Sequence, residues 1–351
     1  MYFAPSPDGR EAKPEWQQIP HALRRAIDEQ LGSPVVEAEI AWGGYSPSAS
    51  YHLTLADGSR AFAKGTHPGQ TREGHAMMLA EITSYRDLQP ISRIACGYRG
   101  SVDQEDWHLL LLDRLDGVSM LDAEQPAHVT ALLTRYLAFQ QDCAALSSRP
   151  DWLVPGPENP LVSVVFSGEG GWLDLNKPEV AHGFETLFED PQAARNWMQD
   201  SVPALIERQQ AITSLTPQAT PWGVLHVDMR SDNILILPDG SARLIDWPNT
   251  CEGPIASDLS GWMPSLMAEG GPTPDRLIAE WHDLGGPQIE MDHIITGLTR
   301  ISGYFMDNAW KPCPPALPRL RWVQKRQLFA ALPWLCSALD LPPPPAPKQE
   351  A

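Results

Sequence analysis

The chain has no long apolar run. Apolar runs such as Leu109 to Leu112 are only a few residues long, whereas a membrane-spanning helix needs about 20. Nor does Met1 to Trp16, a mixture of Pro, Asp, Glu and Lys, contain the apolar core of a secretory signal. Cysteine is sparse and unpatterned. The five residues Cys96, Cys143, Cys251, Cys313 and Cys336 are odd in number and include no Cys-x-x-Cys pair. That pattern excludes a disulfide framework and offers no zinc-ligand spacing. These absences together predict free thiols and a cytoplasmic setting. Positive charge is also scarce. There are 26 Lys and Arg against 44 Asp and Glu, a net charge of −18. Such a chain repels nucleic-acid phosphates, so neither a nucleic acid nor a membrane is expected as partner. The acidic excess could attract a cationic substrate, but solubility alone accounts for it, because net charge does not localise a site.

What is present is a globular composition, 42% hydrophobic and 20% charged over 351 residues, enough for two lobes with separate cores. Ile19, Leu23, Ile27 and Leu31 recur at helical spacing and predict a helix over about 15–31, stopped by Gly32. Strands are predicted over about 35–42, 50–56 and 60–64, the last two joined by the hairpin signal Asp57-Gly58. A helix follows over about 73–88, with Met78, Ile82 and Tyr85 as its apolar stripe. Two more strands are predicted, near 91–98 and 107–112. Asp113 to Gly117 breaks this pattern like a hinge. Beyond it the chain reads as mainly helical, with Pro203 and Pro333 as interruptions. One β element stands within this half, residues 233–237 and 241–245 around Pro238-Asp239-Gly240. The Pro-rich tail, 342–351, is expected to be disordered. No internal repeat is present.

The chemistry concentrates in Leu225-His226-Val227-Asp228-Met229-Arg230-Ser231-Asp232-Asn233-Ile234, followed by Leu244-Ile245-Asp246-Trp247. A tight loop before the first strand and the end of the second strand would bring Asp228, Asn233 and Asp246 into one cleft. Phosphoryl transfer needs such a set: a carboxylate to orient and deprotonate the attacking hydroxyl, and oxygen ligands for Mg²⁺. Asp228 is assigned as the base, Asn233 and Asp246 as metal ligands. As isolated features, Asp228 and Asn233 would be turn residues and Asp246 a strand-end cap. Their order around an apolar hairpin favours the chemical reading.

This segment resembles the aminoglycoside phosphotransferase and choline kinase family, a branch of the protein-kinase-like fold, whose loop reads His-Gly-Asp-x-x-x-x-Asn before a hairpin and Ile-Asp-Trp. The chain departs at Val227, where Gly is usual, and at Arg230, where His is common. Arg230 faces either the phosphate and substrate or a salt bridge within the loop. The resemblance implies that Asp258, in Ser-Asp-Leu-Ser, braces the catalytic loop and that His226 supports it from beneath. It also implies that Gly43, Gly44 and Ser46 form the phosphate-approaching loop, glycine allowing close backbone contact. Lys64 in Phe-Ala-Lys resembles the kinase strand lysine that holds the α- and β-phosphates and pairs with a helix Glu. That partner is Glu81 or Glu73. Glu81 lies on the inward stripe and is preferred, whereas Glu73 suits a helix first turn. Asp113 and Leu115 in the hinge would lie against adenine.

The implied fold is α+β and bilobal, protein-kinase-like. Its N-lobe (1–113) is an antiparallel sheet plus helix, followed by a hinge (114–117) and a mainly helical C-lobe (118–341). The implied activity is transfer of the γ-phosphate of ATP, with Mg²⁺, to a hydroxyl of a small molecule, an aminoglycoside or another amine-bearing compound. Trp262, Trp281, Trp310 and the acids Glu280, Asp283, Asp292 and Asp307 lie in the region expected to meet it. A regulatory protein without turnover, a protein kinase and a nucleotidyl transferase are the alternatives. The absence of Asp-Phe-Gly and Ala-Pro-Glu counts against a protein kinase.

Overall fold

A computed structural model describes residues 3–4, 13–42, 48–314 and 317–348. Gly43, Gly44 and Ser46 lie outside the described residues. The N-terminal part is a five-stranded antiparallel sheet. Its strands are β1 (Val35–Ile40), β2 (Ala49–Leu55), β3 (Arg60–Gly65), β4 (Tyr98–Gln104) and β5 (Trp107–Asp113), in the order β1-β2-β3-β5-β4. The Asp57-Gly58 turn joins β2 to β3 as its sequence demands. Gly58 takes φ +84°, open to glycine at no steric cost, and the Asp57 carboxylate accepts the Ser59 N–H at 2.9 Å. This register sets Ser50 opposite Lys64.

Period-2 alternation divides the leucines of β5. Leu109 and Leu111 join Tyr51, Leu53 and helix α1 (His21–Leu31) on one face of the sheet. Leu110 and Leu112 join helix α2 (Arg72–Asp87) on the other. All four are buried because the sheet is covered on both sides. The α2 side of this core runs on without a break into Leu132, Trp247 and Leu259 of the C-terminal part. The two halves therefore share one cluster, while each also keeps a cluster of its own, around Leu23, Tyr51 and Leu109 in the first and around Trp197, Met306 and Leu332 in the second. Helix α2 is a shared element, and its orientation is set from both sides.

The rest is mainly helical. It contains α3 (Pro126–Ala144), α4 (Pro178–Glu185), α5 (Pro191–Gln210), α6 (Ile255–Ala268), α7 (Pro274–Asp283), α8 (Met291–Ala309) and α9 (Leu320–Ala338). Short strands lie between them: β6 (Ser119–Met120), β7 (Trp222–Leu225), β8 (Ile234–Ile236), β9 (Ala242–Leu244) and β10 (Cys251–Pro254). β8 and β9 form the expected hairpin, turning at Gly240 with φ +79°.

Four expectations are corrected. The predicted first helix is broken at Pro20, which caps α1 after a separate 3₁₀ turn at Trp16–Gln18. Residues 91–97 are not a strand, and β4 begins only at Tyr98. Pro90 starts a 3₁₀ turn, Gln89–Arg93, and Ile91 and Ile94 are buried by packing; a short apolar run does not distinguish the two cases. Pro203 and Pro333 lie inside continuous helices α5 and α9. The buried Val202, Leu205, Leu332 and Leu335 beside them supply packing that offsets the ~3 kcal/mol cost of an interior proline. The tail at 342–348 is seated rather than free. Its carbonyls at Pro342 and Ala346 accept from Trp197 Nε1 (2.9 Å) and Glu189 N (3.0 Å), and Lys348 N donates to Leu187 O (2.8 Å).

Candidate active site

The loop between β7 and β8 presents Asp228. Its shape depends on Asp258, in the first turn of α6, which is 1% exposed. Asp258 Oδ2 accepts from His226 N (2.7 Å) and the Tyr136 hydroxyl (2.8 Å), and Oδ1 accepts from Val227 N (2.7 Å). Burial pushes Asp258 above the ordinary carboxylate range, and His226 and these donors pull it back. The imidazole of His226 is also fully buried and held between two backbone groups. Nε2 donates to Ile245 O at 2.8 Å, and Nδ1 accepts Asp228 N–H at 3.2 Å. Those two bonds assign the neutral tautomer, consistent with burial lowering its pKa. His226 thereby ties the Asp228 loop to the strand end that carries Asp246.

Val227 has φ +65°. A β-branched residue in the left-handed region carries roughly 1–2 kcal/mol of strain. The Asp258 bond to its N–H and packing against the apolar cluster of Phe166, Leu225 and Cys251 hold it there. The sequence departs from glycine at the position where glycine would cost least. Val227→Gly is therefore expected to leave stability within about 1 kcal/mol of the parent, because relief of strain offsets lost packing and added chain entropy. A urea-midpoint shift equivalent to more than about 2 kcal/mol of destabilisation would show that packing outweighs the backbone term.

Asp228, Asn233, Asp246 and Lys64 are brought together. Asn233 Nδ2 donates to Asp228 O (2.9 Å) and Oδ2 (3.2 Å), so its Oδ1 is turned away from Asp228. The Asp228 side chain keeps 34% of its surface open. Desolvation within the cleft pushes its pKa up to about 6, against the opposing pull of Arg230. Asp246, at φ +67°, ends the hairpin and pairs with Lys64 Nζ. Lys64 also donates to Glu81 Oε2 at 2.9 Å. Burial acts to lower the Lys64 pKa, but Asp246 and Glu81 outweigh it and keep the ammonium charged. The Lys64 charge in turn holds Asp246 below the ordinary carboxylate range despite burial. Glu81 Oε1 accepts Trp247 N–H at 3.4 Å, so α2 touches the metal-candidate loop directly. Glu73 is in the exposed first turn of α2 and has no such contact among the described residues.

Arg230 is engaged within its own loop. It bonds Asp228 Oδ1 at 3.0 Å and forks onto Asp232, with Nε to Oδ1 at 3.0 Å and Nη2 to Oδ2 at 3.2 Å. Of its two sequence alternatives, this state shows the intra-loop salt bridge.

A cavity of about 300 Å³ runs from Asn233 and Asp246 past Lys64 to Asp113 and Leu115. Phe62, two positions before Lys64 on the same strand face, also lines it, a placement that strand periodicity could have identified. His52 and Lys13 line it too, with no local sequence signal. The four acids expected near the acceptor are not gathered at Asp228. Glu280 bonds Thr130, Asp292 pairs with Arg208 and Asp307 pairs with Lys311. Asp283 closes α7. Trp262 and Trp281 are fully buried in the core.

The family model described as "Phosphotransferase enzyme family" matches residues 37–291. The chain belongs to this family. The fold agrees. An aminoglycoside phosphotransferase from Alicyclobacillus acidocaldarius superposes with a TM-score of 0.60 at 16% identity, covering 93% of this chain and 98% of that one. A choline kinase from Streptococcus pneumoniae gives 0.53 at 13% identity, covering 90% and 99%. In sequence, a homoserine kinase of Rhodopseudomonas palustris is 24% identical over 135 residues, 34% of this chain and 41% of the relative. The chain thus matches about two fifths of that relative's length. The matched range includes Asp228, Asn233 and Asp246.

Proposed function

We propose that this phosphotransferase-family chain moves the γ-phosphate of ATP to the hydroxyl of a small, amine-bearing alcohol. One observation carries the reading. An open-faced carboxylate, Asp228, stands beside an amide and a second carboxylate at the end of a cavity whose other end is the strand-to-helix hinge. The named relatives support the acceptor class, since homoserine and choline are small alcohols that carry nitrogen.

The adenine would lie against Asp113 to Leu115, with the phosphates toward Lys64. Asp228 orients the acceptor hydroxyl and takes its proton. The acceptor oxygen bonds to the γ-phosphorus as the bond to the β,γ-bridging oxygen breaks, and ADP leaves. Most of the acceleration comes from positioning and fixed charge. The donor set fits Mg²⁺, a cation that prefers carboxylate and amide oxygens. Asp246 and Asn233 Oδ1 would hold it, and it would supply charge neutralisation on the phosphates. Lys64, charged and anchored by Glu81, would bind phosphate oxygens at the same end.

The test is ATP consumption by the full chain against homoserine, choline, aminopropanol and aminoglycosides, confirmed by product mass. We expect one acceptor class to gain the mass of a single phosphoryl group. We also expect EDTA to reduce turnover to background and excess Mg²⁺ to restore it. Transfer only to a protein substrate, addition of a nucleotidyl mass, or ATP binding without turnover would each select a different one of the alternatives.

A further inference from the structure

The helical stripe that carries Glu81 inward also carries a hydroxyl. Tyr85 follows Glu81 by four residues on α2, one turn along the same face. It is 4% exposed and belongs to the apolar cluster that the two halves share. Its hydroxyl oxygen is fully buried and has no hydrogen-bond partner among the described residues. Buried tyrosines normally find a partner for this group. An unbonded one costs about 1–3 kcal/mol, whereas phenylalanine would fill the same space without that cost. The hydroxyl therefore needs a reason outside the internal bonding of the fold.

The cavity between Lys64 and the hinge supplies that reason. Tyr85 lines it, along with Glu81, Cys96, Leu112, Asp113 and Asp246. Burial holds the phenol well above its ordinary pKa, and Cys96, Glu81 and Asp246 push it in the same direction. The hydroxyl thus keeps its proton and lies within reach of three groups that line the cavity. Helix α2 covers the sheet face that Leu112 joins, so Tyr85 meets the cavity from the interior, whereas Asp113 to Leu115 bound it at the hinge. Around this inner end, Glu81 and Asp113 offer acceptors, Leu112 is apolar and the Cys96 thiol is a weak donor. Tyr85 carries the strong donor. An adenine that lays N1 and its 6-amino group along the hinge backbone turns N7, an acceptor, away from it.

We propose that Tyr85 is a base-recognition residue whose hydroxyl donates to N7 of the bound purine. This rests on the nucleotide-binding reading above. It adds that α2 serves both ends of the nucleotide, the phosphates through Glu81 and Lys64 and the base through Tyr85.

The experiment is equilibrium binding of ATP and of 7-deaza-ATP, which has a C–H in place of N7, to the full chain and to Tyr85→Phe, with urea unfolding of both proteins. Loss of one neutral hydrogen bond predicts ATP affinity weaker by about 3- to 10-fold in Tyr85→Phe. The wild type should bind 7-deaza-ATP more weakly than ATP by a similar factor, and the substitution should leave 7-deaza-ATP affinity within about twofold. The urea midpoint of Tyr85→Phe should match or exceed that of the wild type, because the change removes an unbonded buried hydroxyl. Equal losses for the two nucleotides would place the hydroxyl's effect elsewhere and overturn the proposal, as would unchanged ATP affinity. A lower urea midpoint would show a hydroxyl bonded within the protein and would overturn it too. If the wild type bound neither nucleotide, the nucleotide reading itself would fall, and this inference with it. Equal wild-type affinity for ATP and 7-deaza-ATP would sink this inference alone.

Discussion

Asp228→Asn is expected to lower kcat by about 10²- to 10⁴-fold, the usual contribution of a positioned general base. The fold should survive. An asparagine oxygen can still accept from Asn233 Nδ2 or Arg230 Nη1, the two groups that now hold the carboxylate. The substitution also removes one negative charge from the neighbourhood of Asp232 and Asp246, both of which raise the Asp228 pKa. Stability should therefore be unchanged or slightly higher, with ATP affinity retained. The measurement is kcat with the best acceptor alongside a thermal melt. Full activity in a folded Asp228→Asn protein would remove Asp228 from the chemistry and leave the site without a base.

Asp258→Ala is expected to have the largest effect on stability. Three donors, His226 N, Val227 N and the Tyr136 hydroxyl, converge on this one buried carboxylate. Alanine would leave all three without it in an interior where each unsatisfied donor costs about 1–3 kcal/mol. A total on the order of 3–5 kcal/mol is expected, a large share of the roughly 5–15 kcal/mol available to a folded protein. Val227 adds to the effect, because its left-handed backbone loses a bond that holds it there. Turnover should fall as well, since the residues released flank Asp228. Urea unfolding followed by tryptophan fluorescence is suitable, because Trp247 stacks edge-on against His226 with ring centroids 4.7 Å apart. An unchanged midpoint would mean that the loop holds its shape without the brace. Asp228→Asn and Asp258→Ala therefore separate two roles within a single loop. The first should lose rate and keep stability, whereas the second should lose both.

Much of this site was legible because the relevant geometry is local. Asp228 and Asn233 are five residues apart on one loop, and Asp246 follows across a hairpin whose turn is specified by Pro-Asp-Gly. Backbone sterics and β-pairing then leave few other arrangements. The choice of Glu81 over Glu73 was legible from helical periodicity, because position 81 shares the inward stripe with Met78 and Tyr85. The departure from glycine at 227 was visible as well, but its meaning was not. Only the backbone angle shows that valine there is held against its preference.

Other features depended on contacts between distant segments. The state of Arg230 required knowing that Asp232 and Asp228 present their oxygens to one guanidinium. The acids Glu280, Asp292 and Asp307 share a stretch of sequence, but their partners, Thr130, Arg208 and Lys311, were not readable from it. The Pro-rich tail looked unstructured because it has few backbone donors. It docks through its carbonyls, using donors at Trp197 and Glu189 that lie far away in sequence.

By itself, the sequence determined which polar groups the loop and hairpin bring together, and their order, since hairpins, helical stripes and turn residues act over a few positions through local sterics and hydrogen bonding. Only the tertiary structure decided that α2 packs into a cluster reaching both halves, that the Tyr136 hydroxyl joins two loop N–H groups on Asp258, and that Lys13 shares a cavity with Lys64. Those placements arise from burial of surfaces far apart in the chain, where apolar area removed from water and compensation of buried charge select the partner. No pattern of neighbouring residues records such a choice.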